Sequence, residues 1–591
     1  MSRSITFLML LWIPTWASAV EVHFAHLEDP RLDPPTVIQV FPERLKPLWL
    51  QALATDEADL QREAARAIAR AHRQGMKGLE ETVPSLRTLL DSPKLHPVVC
   101  REVARTLIVL DARDAAQQLM QLALQGGLDL ALEIEPALAR WDHQPMRQVW
   151  LDRLTAPDTS HARRILAIDG LGEIRQQGAG EPLRQIVLDS LRSADQRLHA
   201  ASALARIKTD GSLEDADRLA QGTRIDRLAA ARLLAEHQGA DLQTLLLRLA
   251  VDTEPAVGAI ALERLMQLDP FSIEPIVDRL VSSPDARIRQ LTAQMLFQQG
   301  SPEGVRRLGG MLADVNPNLR LWARESLIQL DRQPQLAAAI RQAAMKALHG
   351  DHPLALHQAI ILVGAIDHEP AAERLLKLLD AKDPPLRVVA AWSLRKLAVP
   401  ATAEAIQKKI RQAIQVTNAL AKQYQRGPPY DVSDHTLPAQ VAHLLEALGE
   451  IQDRSARLLF AEFLPRPPEP DPFGPPVVQV VRLPQPRAAA LWALAACYAD
   501  QPDPQVVEAV SHLFSDALEE EDLRAVAAIG LGRLKSKSSL SLLRSKFHPD
   551  DRYSHLGHAC SWALQQITGK DPHVWKPRLI ARQDWFLQPL P

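Results

Sequence analysis

Along most of the chain, apolar residues recur at offsets of 0, 4 and 7 or 8 positions, the spacing that places side chains on one face of a helix. The clearest copy is Asp383-Pro-Pro-Leu-Arg387-Val-Val-Ala390-Ala391-Trp392-Ser-Leu394. Aligned on the closing apolar residue, here termed the anchor, its relatives end at Leu171, Leu204, Leu234, Leu265, Leu296, Leu327, Leu362 and Leu394. The intervals are 33, 30, 31, 31, 31, 35 and 32 residues. Four residues before the anchor stands an alanine, in Ala167, Ala200, Ala230, Ala261, Ala323, Ala390, Ala490 and Ala527. Seven before it stands an arginine, in Arg164, Arg197, Arg227, Arg289, Arg320, Arg387, Arg487 and Arg524. A side chain as small as alanine at one fixed point lets a neighbouring helix approach closely, while leucine fills volume. Ser160, Ser193, Thr223, Asp285, Asn316 and Asp383, four residues before the arginine, have side-chain oxygens that suit an N-cap. A second apolar helix follows each copy, opened by Pro302 or Pro370, where a missing N–H costs nothing. Such a period predicts stacked helix pairs that bury their apolar faces only against one another.

A helix pair with the pattern Asp-x-x-Leu-Arg-x-x-Ala-Ala-Trp-x-Leu resembles the HEAT repeat, in the short form found in phycobilisome lyase-like proteins. The resemblance implies an all-α, right-handed superhelical solenoid of HEAT-like helix pairs, about 15 of them. It also implies an aspartate–arginine ladder between repeats, of which Asp285 with Arg289 and Asp383 with Arg387 keep both members. As to activity it implies a scaffold, because the same repeat serves many tasks.

Residues 1–19 carry one cation, Arg3, then an apolar run from Ile5 to Ile13, then Ala17-Ser18-Ala19, and resemble a secretory signal peptide cleaved after Ala19. Residues 20–55 read as an extended, proline-rich lead-in lying over the first repeat, with a β-prone run from Val37 to Phe41. The array is expected over 56–423, with a degenerate copy between Leu128 and Trp150. Past Leu394 the anchors are Leu448, Leu494, Leu531 and Leu564, at intervals of 54, 46, 37 and 33. The surplus falls in 424–438 and 464–486, two insertions too rich in proline for helix. Between them 439–463 holds one repeat, and 487–591 holds the last repeats and an apolar cap around Trp575, Trp585 and Phe586. Val477–Leu483 has the composition of a short strand.

With 68 basic and 71 acidic residues, a formal net charge of −3, the chain has no electrostatic footprint for nucleic acid. No stretch after the leader approaches the roughly 20 apolar residues of a membrane span, so the mature chain is expected to be soluble and exported. Cys100, Cys497 and Cys560 fall in different repeats. Helix layers stand about 8–10 Å apart and a disulfide needs α-carbons within about 7 Å, so three unpaired, buried thiols are expected. No nucleophile elbow, phosphate-binding loop, nucleotide fingerprint or haem-attachment motif appears, and no cofactor or catalysis is expected. The densest set of candidate metal ligands is His548, Asp550, His555 and His558, with the pair His23 and His26 a fainter one. Helix capping accounts equally well for the aspartate.

These features point to a non-catalytic scaffold, secreted or periplasmic, that binds another macromolecule, a protein, through its concave surface. The other readings are a cofactor-handling or lyase-like enzyme built on HEAT repeats, and a subunit of a larger exported assembly. The working surface is placed by the position two before each anchor, which lies at the edge of the solvent face. Asp169, Ser202, Arg232, Glu263, Gln294 and Glu325 occupy it first, then Ile360, Trp392, Glu446, Trp492, Ile529 and Trp562. The apolar members Ile360, Trp392, Trp492, Ile529 and Trp562 are therefore the expected partner-binding residues, unless they pack on the neighbouring helix.

Overall fold

All eight alanines four before an anchor are completely buried, at 0 % exposure, and the leucine anchors beside them are buried too. This is the packing that the small residue was expected to permit. The structure, a computed structural model, describes residues 22–32, 37–42, 44–238, 241–424, 435–467, 479–547, 554–570 and 578–581. Among them stand fifteen helix pairs. Within each unit the second helix of a pair carries the anchor, successive anchor helices pack side by side, and the first helices close the other side of the layer. The fold is an α solenoid of HEAT-like pairs.

The chain forms two units. The N-terminal unit comprises Val37–Met295 with Arg578–Pro591 and holds seven pairs, from Leu45–Leu53 with Ala58–Arg73 to Leu242–Ala250 with Pro255–Leu268. The C-terminal unit comprises Leu296–Pro577 with Met1–Thr36 and holds seven, from Pro302–Gly310 with Pro317–Asp331 to Leu540–Lys546 with His555–Thr568. The anchor helix of the remaining pair, Ala286–Gln299, contains the division.

Helix starts follow the sequence in part. Ser160, Thr223, Asp285 and Asn316 accept from first-turn N–H groups, and Thr223 forms a full capping box with Asp226. Ser193 and Asp383 make no such bond. The arginine seven before the anchor turns back to the end of the preceding helix: Arg164 donates to Ala156 O, Arg197 to Val187 O, Arg289 to Ser283 O and Arg387 to Ala381 O. Three also reach a carboxylate of the next repeat, pairing Arg197 with Asp226, Arg227 with Asp252 and Arg487 with Glu519. The two helices of a pair are thus tied by arginine to carbonyl, and three repeats are tied to the next by arginine to an acid that differs from copy to copy.

Helix ends supply a marker that fixes the register. In six repeats the residue four past the anchor is left-handed and the next N–H bonds back to the anchor carbonyl, the Schellman arrangement. These left-handed residues are Asp111, Asp142, Arg175, Asp367, Gln452 and Lys535. The marker makes Leu138 the anchor of the degenerate copy, through His143 N to Leu138 O at 3.0 Å. It also makes Val363, not Leu362, the anchor of its repeat, through His368 N to Val363 O at 3.0 Å.

The array starts earlier than the sequence suggested, since Leu45–Leu53 already packs as the first helix of a pair. The lead-in does not lie on that repeat as a whole. Its residues 22–30 belong to the C-terminal unit, while Val37–Val40 forms a parallel ladder with Arg578–Ala581, Val37 opposite Arg578. Val480–Arg482 is a 3₁₀ turn, not a strand: Val480 is buried and its N–H donates to Thr417 Oγ1 at 3.3 Å. Leu483 then precedes a proline-opened helix, Pro484–Cys497. The signal peptide, residues 425–434 and 468–478 of the proline-rich insertions, Trp575, Trp585 and Phe586 lie outside the described residues.

Candidate binding site

Positions five before, two before and two after an anchor are three or four residues apart, so they share one helical face. On successive anchor helices of a unit they line a row, and the two units use their rows differently.

In the C-terminal unit the row holds Glu446 at −2, with His443 at −5 of the same helix, Trp492 at −2 of the next and Arg533 at +2 of the one after. Across it lies the chain's own segment, residues 23–29, with one helical turn at Ala25–Glu28. Glu446 is completely buried. Its Oε1 accepts from the His26 main-chain N–H at 3.1 Å and lies 2.8 Å from His26 Nδ1. Its Oε2 accepts from Arg395 Nη1 at 3.1 Å and stands 3.4 Å from His443 Nδ1. Arg395 Nη2 also donates to His23 O at 2.8 Å. Farther along, Trp492 Nε1 and Arg533 Nη2 both donate to Asp29 O, at 3.0 and 2.9 Å, and Arg533 pairs with the Asp29 carboxylate. Phe24 stacks on His443 at 4.5 Å and on His26 at 5.3 Å. The array therefore grips a short segment, part of it one helical turn, by its main chain at His23, His26 and Asp29 and by the side chains of Phe24, His26 and Asp29.

The electrostatics follow from burial. Desolvation pushes the Glu446 carboxyl upward, but hydrogen bonds from His26 and His443 and the charges of Arg395 and His26 outweigh it and hold the group below the usual carboxylate range. The His443 imidazole is lowered, because burial outweighs its bond to Glu446. Glu450, at +2, is raised by burial and by the charge of Asp29.

In the N-terminal unit the same row is polar and half-buried. Asp169, Ser202 and Arg232, all at −2, line a cleft of about 480 Å³ with Glu173 and Arg206 at +2, His199 at −5, and Glu135 and Arg140 from the degenerate copy. Asp169 Oδ1 lies 2.7 Å from His199 Nδ1, and Arg206 stands 3.6 Å from Glu173. Arg232 donates to Leu198 O at 3.1 Å, and burial lowers its pKa. Glu135, buried, accepts from Trp150 Nε1 at 2.9 Å and from Arg153 at 2.8 Å. None of the chain's described residues crosses this row.

The expected partner-binding residues are not an open edge. Ile360, Trp392, Trp492 and Ile529 are buried, and Trp562 is half-buried. For Trp492 and Trp562 the reason is the glycine one past the preceding anchor. Gly449 and Gly532 have no side chain, so Trp492 and Trp562 close down on them, and an added Cβ would stand 2.9 and 2.8 Å from the indoles. With Val363 as anchor, Ile360 moves to −3 and leaves the row. The sequence reading missed His443, His199, Arg533 and Arg206, because only −2 was followed; −5 and +2 were equally available from the helical period.

Of the metal candidates, His548 and Asp550 lie outside the described residues. His555 is exposed, with Nδ1 3.3 Å from Asp522 Oδ1, and His558 is buried. Among the described residues no three His, Cys, Asp or Glu side chains converge as metal ligands. Cys100, Cys497 and Cys560 are free; Cys100 is half-buried, and burial pushes the Cys497 and Cys560 thiols up to about 12. Among the described residues no helix is long and apolar enough to cross a membrane.

No protein-family model matches the chain, and no curated protein sequence matches it. Solved structures do. Kap95p, in a structure with RanGDP, aligns with 88% of this chain and 72% of its own at 12% identity and a TM-score of 0.48. An importin beta structure aligns with 89% and 82% at 11% identity and a TM-score of 0.46. The CpcE–CpcF phycocyanin lyase complex of Nostoc sp. PCC7120 aligns with 45% of this chain and 94% of that one at 20% identity and a TM-score of 0.28.

Proposed function

We propose that the protein is an exported scaffold, secreted or periplasmic, that binds another macromolecule, a protein, along the inner, concave surface of its repeats and performs no chemistry on it. The observation that carries this reading is the grip on residues 23–29: Arg395 and side chains of the row hold a short segment through His23 O, His26 N and Asp29 O. Main-chain recognition of that kind serves a peptide of another chain as well. The cleft of the N-terminal unit offers the corresponding positions, Asp169, Ser202 and Arg232, with both signs of charge and no segment of the described chain upon them. The buried thiols, held protonated, support a role without nucleophilic catalysis.

The test is affinity capture of the tagged mature protein from the exported fraction, read by mass spectrometry. The expected result is a protein partner that the wild type retains and that Asp169→Ala with Arg232→Ala loses. Identical capture by the two proteins overturns the cleft as the binding surface. Mass analysis of the same sample should find Val20 at the N-terminus; Met1 there overturns export.

A further inference from the structure

The seat under residues 23–29 is not fully satisfied by its occupant. Arg395 Nε and Arg533 Nε are buried donors with no acceptor, and His443 Nε2 is buried with no partner while its Nδ1 faces Glu446. Arg395 and His443 are 3 % and 1 % exposed, so these atoms have no recourse to bulk solvent. Unmet buried donors and acceptors of this kind are uncommon in settled cores. The occupant is also shallow: of residues 22–30 only Ala25 and His26 are buried, and Leu27 is 57 % exposed. A buried ion pair such as Arg395–Glu446 contributes little net stability, whereas it fixes what the groove accepts. What it accepts is legible: an aromatic ring for the face of His443, a histidine two residues later for Glu446, and a carbonyl and carboxylate three residues beyond for Trp492 and Arg533.

We propose that this groove is an exchange site, in which a partner's short segment with the spacing of Phe24, His26 and Asp29 about one helical turn displaces the chain's own. The proposal rests on the reading of the protein as a scaffold, but it concerns the C-terminal unit and not the cleft of the N-terminal unit. The tether gives the native segment an effective concentration in the millimolar range, so it holds the seat against weak competitors and yields to a better-matched one. A matched partner adds acceptors for Arg395 and Arg533, which the native segment leaves open.

The experiment uses the full mature chain and, as probe, a fluorescein-labelled peptide of the sequence from Val22 to Leu32. Wild type should bind it weakly, and the variant Phe24→Ala with His26→Ala about tenfold more tightly or better, because the competing occupant is weakened. Adding Glu446→Gln to that variant should abolish the gain. In the unaltered protein, ¹⁵N-labelled, excess peptide should speed amide exchange across Phe24–Glu28 without changing it elsewhere in the C-terminal unit. Binding to the folded double variant no tighter than to wild type, or exchange at Phe24–Glu28 untouched by excess peptide, overturns the proposal. Dimers of wild type abolished by Glu446→Gln overturn it too, since the occupant is then a second copy of this chain. Failure of the cleft variants to alter partner capture does not bear on any of these readings.

Discussion

The two units place acids, histidines and arginines at the same positions of the same helical face, yet one row stands half-open and the other is sealed. In the N-terminal unit Asp169 meets His199 with both side chains nearly half exposed, at 49% and 40%. In the C-terminal unit Glu446 meets His26 and Arg395 at 0%, 5% and 3%. Water screens the first set, so its charges can remain partly unmatched and available to a ligand. The second is out of water, and each charge there must find a partner inside the protein. What separates the rows is what lies upon them. Residues 23–29 and the indole of Trp492 cover the C-terminal row, whereas Ser202 and Arg232 line an open cleft in the N-terminal row.

That contrast breaks most visibly if single carboxylates are removed. Glu446→Ala leaves Arg395 buried without its counter-charge, and a loss of about 3–5 kcal/mol is expected. Asp169→Ala dissolves a solvated pair and should cost ~0–1 kcal/mol. Urea unfolding followed by tryptophan fluorescence measures both, and equal losses would mean that the two rows share one electrostatic environment.

A smaller loss is expected from steric closure. Gly449→Ala puts a Cβ 2.7 Å from the Ala493 backbone and 2.9 Å from the Trp492 ring. Helix and ring must move apart, at a cost of about 1–3 kcal/mol. Because Trp492 also holds Asp29 O, amide exchange at Phe24–Glu28 should quicken in this variant. If stability falls while exchange there is unchanged, the indole is a core residue with no part in holding the segment.

Acid should act on the sealed row with a definite sign. His443 is lowered from 6.5, so at mildly acid pH the unfolded chain takes a proton that the folded chain refuses. Its stabilisation is complete above that value and is lost as pH falls below it. His357 and His368 of the same unit, also lowered by burial, act in the same direction. Glu446 adds a loss of the same sign, but only below its ordinary 4.5. Glu450, raised, has the opposite sign: its contribution falls as pH rises above 4.5. Between about pH 7.5 and 5.5 the urea midpoint of the C-terminal unit should therefore drop, and less so in His443→Gln. A drop of the same size in wild type and in His443→Gln would show His443 to be solvated.

The array was legible because it is written in local terms: alanine at −4, leucine at the anchor and arginine at −7 recur on a helical period, and each has a steric or hydrogen-bonding reason. The degenerate copy was found only by its place, since Ile134 and Ala131 stand where alanine and arginine were sought, and the Leu362 register slipped by one because Leu362 and Val363 are both apolar. The candidate surface was half legible. Following −2 led to Glu446 and Trp492, but exposure was judged from a single helix, and a neighbour's glycine decides whether an indole is covered. The segment that closes the row could not be read at all. His26 and Glu446 are 420 residues apart, and no periodicity links them.

The smallest effect tests whether the two units share their turns while differing in their rows. Ala398 ends its helix at φ 46°, ψ 39°, a left-handed conformation in which a Cβ crowds the following carbonyl at a cost of about 1–2 kcal/mol. Glycine removes that crowding but makes the unfolded chain more mobile, which returns roughly 0.5–1 kcal/mol. Ala398→Gly should thus stabilise the C-terminal unit by about 0.5–1 kcal/mol. Asp142 holds the same conformation in the N-terminal unit, at φ 52°, but aspartate tolerates it better, and its carboxylate accepts from Arg147 at 2.5 and 2.7 Å. Asp142→Gly loses that exposed pair and gains little, so its urea midpoint should be unchanged or slightly lower. A gain at Asp142 as large as that at Ala398 would show that the backbone alone sets the energy of these turns and that the Arg147 pair contributes nothing.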